Sequence, residues 1–279
     1  MTFQQWLDAC RLPRLEARLL VEAVCCINHV RLISRSGDEI PQPQRAVLDM
    51  LAARRRRGEP MAYLLGSREF YGRSFRVSPA VLIPRPETEL LVEAALARLP
   101  PGGRLWDLGC GSGIIALTVA LERPDAAVRA SDISPDALAV AQANAAALGA
   151  SIEWAQGSWF AAQPAAEGLF DIIASNPPYI EAGDEHLQQG DLRFEPAAAL
   201  TDFADGLSHI RTLAAQAQGY LKPGGWLLLE HGWNQGEAVR GILAEYGWQQ
   251  VATLRDLAGL DRVSIGRKAV YPTRFDGLG

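Results

Sequence analysis

Residues 104–113 read Arg104-Leu105-Trp106-Asp107-Leu108-Gly109-Cys110-Gly111-Ser112-Gly113, and the apolar run Ile114 to Leu121 follows at once. This is a strand, a glycine-rich turn and a helix in immediate succession. Glycines let the backbone turn tightly and approach a ligand closely. The last glycine departs from the dinucleotide spacing G-x-G-x-x-G, and the P-loop lysine is missing, which disfavours a nucleoside triphosphate. The next apolar run, Ala127 to Ser131, ends on Asp132, followed by Ile133. An acidic residue at the end of a second strand accepts hydrogen bonds from ribose hydroxyls and repels a 2′-phosphate. Ser134 and Asp136 are equally able to cap the helix that follows, so Asp132 is not required there.

Strands and helices alternate outward from this turn. Pro135 to Leu148 reads as an alanine-rich helix, Ile152 to Gln156 as a short strand and Phe170 to Ser175 as a buried one. Leu207 to Leu221 reads as a helix. Trp226 to His231 reads as a strand after the turn Lys222-Pro223-Gly224-Gly225. Such alternation predicts a doubly wound, Rossmann-like α/β sheet. Upstream the pattern changes. Residues 1–66 read as helices, with Trp6, Leu7, Cys10, Leu12, Leu15, Leu19 and Leu20, then Val47, Leu48 and Leu51, at helical spacing. Gly58-Glu59-Pro60 marks the end of the last of them. Phe70, Tyr71, Phe75, Val77, Val81 and Ile83, broken by Gly72 and Pro79, predict a β-hairpin over residues 67–84. A helix starts near Pro86-Glu87-Thr88-Glu89. The expected division is thus 1–66 helical, 67–84 hairpin linker and 85–279 α/β.

With 279 residues, 48% hydrophobic and 21% charged, the chain can build a sizeable core and two domains. No apolar stretch approaches a membrane span. The start, Met1-Thr2-Phe3-Gln4-Gln5-Trp6, lacks the basic and apolar pattern of a secretory signal, so a cytoplasmic protein is expected. Cys10, Cys25, Cys26 and Cys110 lack metal-ligand spacing and read as reduced thiols. The net charge of −5 hides an asymmetry: residues 1–80 carry 13 arginines against 8 acids, and the remainder 14 basic against 24 acidic residues. The run Arg54-Arg55-Arg56-Arg57 reads either as a solvated helix end, where cations suit the dipole, or as a patch for an acidic partner or RNA.

Directly after the strand Phe170 to Ser175 stands Asn176-Pro177-Pro178-Tyr179. Ligand sites in parallel sheets lie off the carboxyl ends of strands. Asn176 offers one acceptor and two donors to a planar amide or amino group. Two prolines fix the backbone and remove two N–H groups, so nearby carbonyls can face the site. Tyr179 supplies a flat face. Together these parts suit a planar nitrogen stripped of water.

The turn with its preceding acid, the strand-end Asp132 and the tetrapeptide resemble the nucleotide half of class I S-adenosylmethionine-dependent methyltransferases, over roughly residues 85–279. The resemblance implies S-adenosyl-L-methionine as cofactor, S-adenosyl-L-homocysteine as product, and no metal. It implies cofactor contacts from Asp107, Gly109, Cys110, Gly111, Ser112, Gly113, Asp132, Ile133 and Asn176. Asp107 would lie near the amino-acid portion and order the loop, and Trp159 of Ser158-Trp159-Phe160 would pack on the adenine. Methyl transfer from a sulfonium is an in-line displacement, so the protein chiefly supplies position and electrostatics. An amide nitrogen is a poor nucleophile because its lone pair is delocalised. Accepting both its hydrogens, through Asn176 Oδ1 and the Pro177 carbonyl, favours a pyramidal nitrogen aimed at the methyl. Asn176, Pro177 and Tyr179 are therefore the expected catalytic residues, and the whole tetrapeptide, Pro178 included, the expected substrate contact. No strong general base is required, since the proton leaves a cationic product.

The tetrapeptide does not choose among adenine N6, guanine N2 and glutamine N5. Three further segments do: Val81-Leu82-Ile83-Pro84-Arg85-Pro86-Glu87-Thr88-Glu89; Phe194-Glu195-Pro196 with Ala199-Leu200 and Asp205-Gly206-Leu207; and Glu230-His231-Gly232 with Gln235-Gly236. With the tetrapeptide, this set resembles the HemK-type protein-(glutamine-N5) methyltransferases, over nearly the whole chain. That resemblance implies a release-factor substrate, modified on the glutamine of its Gly-Gly-Gln loop. It also implies a substrate-docking role for residues 1–66 and a monomer with no direct nucleic-acid or membrane partner. The competing enzyme class is an adenine-N6 or guanine-N2 nucleic-acid methyltransferase, which the acidic balance after residue 80 disfavours. Two positions depart from the family pattern: Cys110 where threonine is usual, and Ser158 where aspartate is usual. Arg85 and Glu89 are read as either interdomain partners or site residues. Glu195 is read as structural or functional, and His231 receives no catalytic role.

Overall fold

The computed structural model describes residues 1–162 and 169–270; the end of the expected α/β segment, 271–279, lies outside them. The chain begins with helices α1 (Phe3–Ala9), α2 (Arg14–Cys25), α3 (His29–Ser34), α4 (Gln42–Arg56) and α5 (Met61–Leu65). Thr2 and Gln5 close a capping box on α1, and Cys26 ends α2 in the left-handed region at φ 53°. Trp6, Leu20, Val21 and Leu48 are fully buried at the centre of this layer, each contributing roughly 2 kcal/mol by leaving water. The Trp6 indole donates to Asp49 Oδ1 at 2.8 Å. Two positions placed on the apolar face by spacing, Leu15 and Val47, are exposed instead. Gly58-Glu59-Pro60 ends α4 but not the helical layer, because the proline opens α5.

The arginine run closes α4, with Arg54, Arg55 and Arg56 in its last turn and Arg57 as its cap, as the helix-end reading expects, and three of the four also find partners. Arg54 is paired with Glu59, Arg55 with Glu16 and Asp191, and Arg56 donates to the Cys10 carbonyl at 2.7 Å. These cations hold the layer together.

Strands β1 (Ser67–Phe70) and β2 (Arg73–Arg76) form the expected hairpin. Tyr71 and Gly72 turn it with φ of 51° and 71°, the pair of positive angles a two-residue hairpin loop needs. The hairpin stops at Arg76, short of the expected 84. Beyond it Val77, Val81 and Ile83 are buried in a coil against Ala62, Tyr63 and Ala137. Pro79 and Pro84 deprive that stretch of ladder donors.

The rest is α6 (Thr88–Leu96), β3 (Arg104–Leu108), α7 (Ile114–Glu122), β4 (Ala127–Asp132), α8 (Pro135–Leu148), β5 (Glu153–Gln156), β6 (Phe170–Ser175), α9 (Ala197–Leu200), α10 (Ser208–Gln216), β7 (Leu221–Glu230), α11 (Gly236–Glu245), β8 (Gln249–Arg255) and β9 (Asp261–Arg267). Seven strands make one sheet in the order β5-β4-β3-β6-β7-β9-β8. β3 to β7 are parallel, and β9 inserts antiparallel between β7 and β8. Alternate residues face opposite layers, as the strand period requires. Leu105, Ile172 and Leu228 pack with α6 and α7, while Trp106, Ile173, Leu227 and Leu229 pack with α10 and α11.

Two expectations shift. The helix expected to run to Leu221 ends at Gln216, and one 3-10 turn, Ala217–Gly219, completes the connection. The strand expected from Trp226 begins at Leu221. Leu221 pairs with Phe170, and Trp226 with Ile172, so the extra residues Lys222 to Gly225 form a bulge. The antiparallel closure by β8 and β9 was not read in the sequence.

Candidate active site

β3 is flanked by β4 and β6, and the polypeptide order reverses between β3 and β6, so the carboxyl ends of these strands open a crevice. The glycine turn fills its floor. Gly109 and Cys110 both donate to the Ser131 carbonyl, at 2.9 and 3.0 Å, which fastens the turn to the end of β4. Gly111 lies at φ 55° with open space where a Cβ would stand. Its N–H donates to Asp132 Oδ2 at 2.9 Å, and Ser134 N–H donates to Oδ1 at 2.9 Å. Each carboxylate oxygen keeps a lone pair for another donor. The cap of α8 is Ser134, whose hydroxyl accepts from Ala137 N–H at 3.2 Å.

Asp107 is completely buried beneath the turn. Its Oδ2 accepts from Ala116 N–H at 3.1 Å, while Oδ1 has no partner among the described residues. Burial pushes its pKa up to about 7, the Ala116 N–H opposes the rise, and the Asp132 charge adds to it. Cys110 is buried as well, and burial raises its thiol well above the ordinary value, so it stays protonated.

Above the turn lies a cavity of roughly 410 Å³. Gly109, Cys110, Gly111, Ser112, Asp132, Ile133, Ser158, Trp159, Asn176 and Pro178 line it. Asp107 and Gly113 sit beneath the floor: a Cβ on Gly113 would stand 3.0 Å from Leu117 Cδ1, so its place is close packing of turn on helix. Trp159 adopts φ 48°, and its ring edge lies 3.3 Å from where a Gly109 Cβ would be. Ile133 is 66% exposed on the wall. Pro177, buried, and Tyr179, half-buried, are not among the lining residues. A second hollow, lined by Arg104, Ala127 and Glu153, opens at the opposite, amino end of β3 and β4 and is remote from these groups.

Asn176 leaves β6 at its carboxyl end. Its Nδ2 donates to Glu230 Oε1 at 2.8 Å and to Thr88 Oγ1 at 3.2 Å. Both amide hydrogens are thereby used, and Oδ1 remains the atom able to accept. Gln235 Nε2 donates to the Tyr179 carbonyl at 3.0 Å, and Ile180 N–H to the Leu200 carbonyl at 2.9 Å, which tie the exit of the tetrapeptide to the following segment. Burial, with the Glu230 charge behind it, raises the Tyr179 phenol well above its ordinary value, so it is neutral.

The residues read as ambiguous now have places. Arg85 is ion-paired with the buried Glu195, whose Oε2 accepts from Ile83 N–H at 2.9 Å. Glu89 accepts from Tyr71 N–H at 3.0 Å and clamps the hairpin turn to α6. His231 is buried, with Nε2 2.8 Å from Ser264 Oγ and Nδ1 2.9 Å from the Gly232 carbonyl. Burial lowers its pKa and keeps it neutral.

Three polar positions near the cavity received no role from the sequence. Asn144 is 1% exposed on α8; its Nδ2 donates to the Ser112 and Arg76 carbonyls at 2.9 and 3.0 Å, and its Oδ1 accepts from Arg76 N–H at 2.7 Å. It ties the glycine turn to the hairpin. Asp202 accepts from the N–H groups of Ala204, Gly206 and Ser208 and from the Ser208 hydroxyl. Burial alone would raise its pKa, but these bonds bring it down to about 2. It shapes the wall formed by Thr201, Phe203 and His209. Glu230 is the third. Only Asp202 had a local signal, the Asp-Phe-Ala-Asp-Gly spacing typical of side-chain-capped turns.

Residues 3–66 match the PrmC N-terminal domain, and residues 86–200 the methyltransferase small domain. A release factor glutamine methyltransferase of Neisseria gonorrhoeae is 62% identical over 267 residues, covering 96% of this chain and 98% of its own. One from Bordetella pertussis is 51% identical over 259 residues, covering 91% and 95%. Among solved structures, a methyltransferase from Pyrococcus furiosus shares the fold with a TM-score of 0.56 at 16% identity, covering 82% of this chain and 100% of its own. The T. thermophilus 16S rRNA N2 G1207 methyltransferase, solved with AdoMet and guanosine, does so with a TM-score of 0.54 at 24% identity, covering 72% and 49%.

Proposed function

The chain belongs to the release factor glutamine methyltransferases, and from that premise we propose that it methylates the N5 amide nitrogen of the Gly-Gly-Gln glutamine in peptide-chain release factors, tuning translation termination. S-adenosyl-L-methionine, when bound, supplies an electrophilic methyl group. The residues present fit it. The left-handed turn at Gly111 leaves room above the backbone, Asp132 keeps lone pairs for ribose hydroxyls, and Ile133 and Trp159 offer apolar faces to an adenine. The unpartnered, buried Asp107 oxygen favours a cation nearby.

The single observation that carries the reading is the Asn176 amide, both of whose hydrogens are bonded inward on a residue lining the cavity above the turn. Its Oδ1 accepts one hydrogen of the target amide and the Pro177 carbonyl accepts the other. The nitrogen lone pair is thereby aimed along the transfer axis. Pro178 and Tyr179 flank the planar group. Residues 1–66 dock the substrate protein, 67–84 link, and 85–279 carry the transfer. The protein acts in this proposal as a cytoplasmic monomer, without metal and without direct contact to nucleic acid or membrane. Among the described residues no helix is long and apolar enough to cross a membrane, and no acidic, His or Cys cluster is arranged to hold a metal.

The test is incubation with labelled S-adenosyl-L-methionine and a purified release factor, with the label located by peptide mass spectrometry. One methyl on the Gly-Gly-Gln glutamine is expected. Label absent from that residue, or found on added RNA instead, overturns the proposal.

A further inference from the structure

Strands β6 and β7 run parallel with Ser175 opposite Leu229, so the next residues along each, Asn176 and Glu230, emerge side by side. Thr88 opens α6 directly beside them. The resulting cluster is dry: Thr88 is fully buried and Glu230 is 1% exposed. Asn176 Nδ2 bridges Glu230 Oε1 and Thr88 Oγ1. We propose that Glu230 and Thr88 are the positioning pair that sets which way the Asn176 amide faces, and so presents Oδ1 to the substrate nitrogen. This inference rests on the glutamine-N5 reading above.

The physical argument is one of complementarity. An asparagine amide is nearly symmetric in shape, and only its partners decide which end is oxygen. In its ionised form the Glu230 carboxyl accepts and does not donate. Turned around, Asn176 would bring Oδ1 against Glu230 Oε1 at hydrogen-bond distance, oxygen against oxygen. Glu230 therefore selects the orientation in which the nitrogen points inward. Thr88 supplies the second acceptor. The pair acts through Asn176 and need not touch the substrate.

The cost of this arrangement argues that it serves the reaction. Glu230 Oε2 is buried with no hydrogen-bond partner among the described residues. Burial raises the Glu230 pKa to about 7, with Glu87 adding to the rise and the Thr88 hydroxyl, Arg262 and Asn176 opposing it. A buried acid with one idle oxygen is poor packing material, and replacing such groups with apolar ones of similar size is often neutral or stabilising.

The experiment compares the wild type with Glu230→Met, Thr88→Val and Thr88→Ser in methyl transfer to a purified release factor. Alongside turnover, cofactor affinity is measured by calorimetry and stability by melting. For Glu230→Met we expect kcat to fall by roughly ten- to a hundredfold, the scale of a misplaced reacting group. KM for the release factor and cofactor affinity should stay within a few-fold, and the melting temperature should fall by no more than a few degrees, the scale of one unbonded amide hydrogen. Thr88→Val should show the same split in smaller measure, and Thr88→Ser should restore the wild-type rate. Wild-type turnover in both Glu230→Met and Thr88→Val overturns the inference. So does a loss in Thr88→Val that Thr88→Ser fails to restore, or a loss matched by equal losses of cofactor affinity and stability. A wild type that leaves release factor unmodified defeats the glutamine-N5 reading itself, and this inference with it, so the two failures are distinct.

Discussion

At the scale of single residues, the site depends on where a few polar atoms have spent their bonds. Asn176 gives both hydrogens to Thr88 and Glu230 and keeps its oxygen. Asn176→Ala should lower kcat by at least about 100-fold, the scale set by losing one aligned transition-state contact. Cofactor affinity should change far less; single-turnover assays and calorimetry check this, and near-normal turnover would remove Asn176 from the reaction. Asp107 yields a pH prediction. Its folded pKa is raised to about 7, so between the ordinary carboxyl range and about pH 7 the folded protein holds a proton that the unfolded chain has lost. Its contribution to stability therefore falls as pH rises through that window. A cationic cofactor settling above the turn pulls this pKa down, so binding should release a fraction of a proton near neutrality. The release should fade at about one to two pH units above 7 and vanish in Asp107→Asn. Calorimetry in buffers of different ionisation enthalpy measures it, and a buffer-independent binding enthalpy at pH 7 would contradict the role.

At the scale of elements, the glycine turn is braced from behind. Asn144 on α8 makes three hydrogen bonds, one of them fully buried, that join the Ser112 carbonyl to the backbone of β2. Asn144→Ala strands those groups, and a loss of roughly 2–4 kcal/mol in denaturant melts is expected. A weaker hold on the cofactor should accompany it, because the turn loses its brace; an unchanged melt would show that water replaces the side chain fully. This brace also explains what the sequence concealed. The strand, turn and helix around Gly109–Gly113 were legible because the signals are local: apolar run, glycines, apolar run. The Asn-Pro-Pro-Tyr corner was legible for the same reason. Asn144 and Glu230 act on partners 68 and 54 positions away in the chain; the Glu230-His231-Gly232 segment stood out in the sequence, but nothing near either residue announces its partner. The bulge in β7 was misread because Pro and Gly normally punctuate strands, whereas here they are accommodated by pairing that skips from Leu221 to Trp226.

At the scale of the whole molecule, the basic helical layer meets the segment that follows the tetrapeptide. Arg55 lies 3.6 Å from Asp191, Arg193 donates to the Arg57 carbonyl at 2.8 Å, and Tyr63 OH donates to the Val81 carbonyl at 2.7 Å. Gly58 sits at φ 93°, and a Cβ there would stand 1.8 Å from Arg193 Nη2. Arg193 is exposed and can swing aside, so the cost of Gly58→Ala comes mainly from the backbone angle, about 1–2 kcal/mol. Thermal melts should show that loss, and Arg193→Ala alone should show less; the reverse order would place the strain in the arginine contact. The charge asymmetry seen in composition thus has a structural use, since arginines of the first part find acids in the second.

An amide whose hydrogens are both turned inward can receive but never give. A glutamate offered to such a port brings only oxygen against oxygen and is turned away, whatever its fit in length. In the proposed geometry, a nitrogen that has already gained one carbon would keep a single hydrogen for two receivers. On the proposed glutamine reading, the chemistry that would admit the side chain would also end its modification at one carbon, leaving the product free to depart.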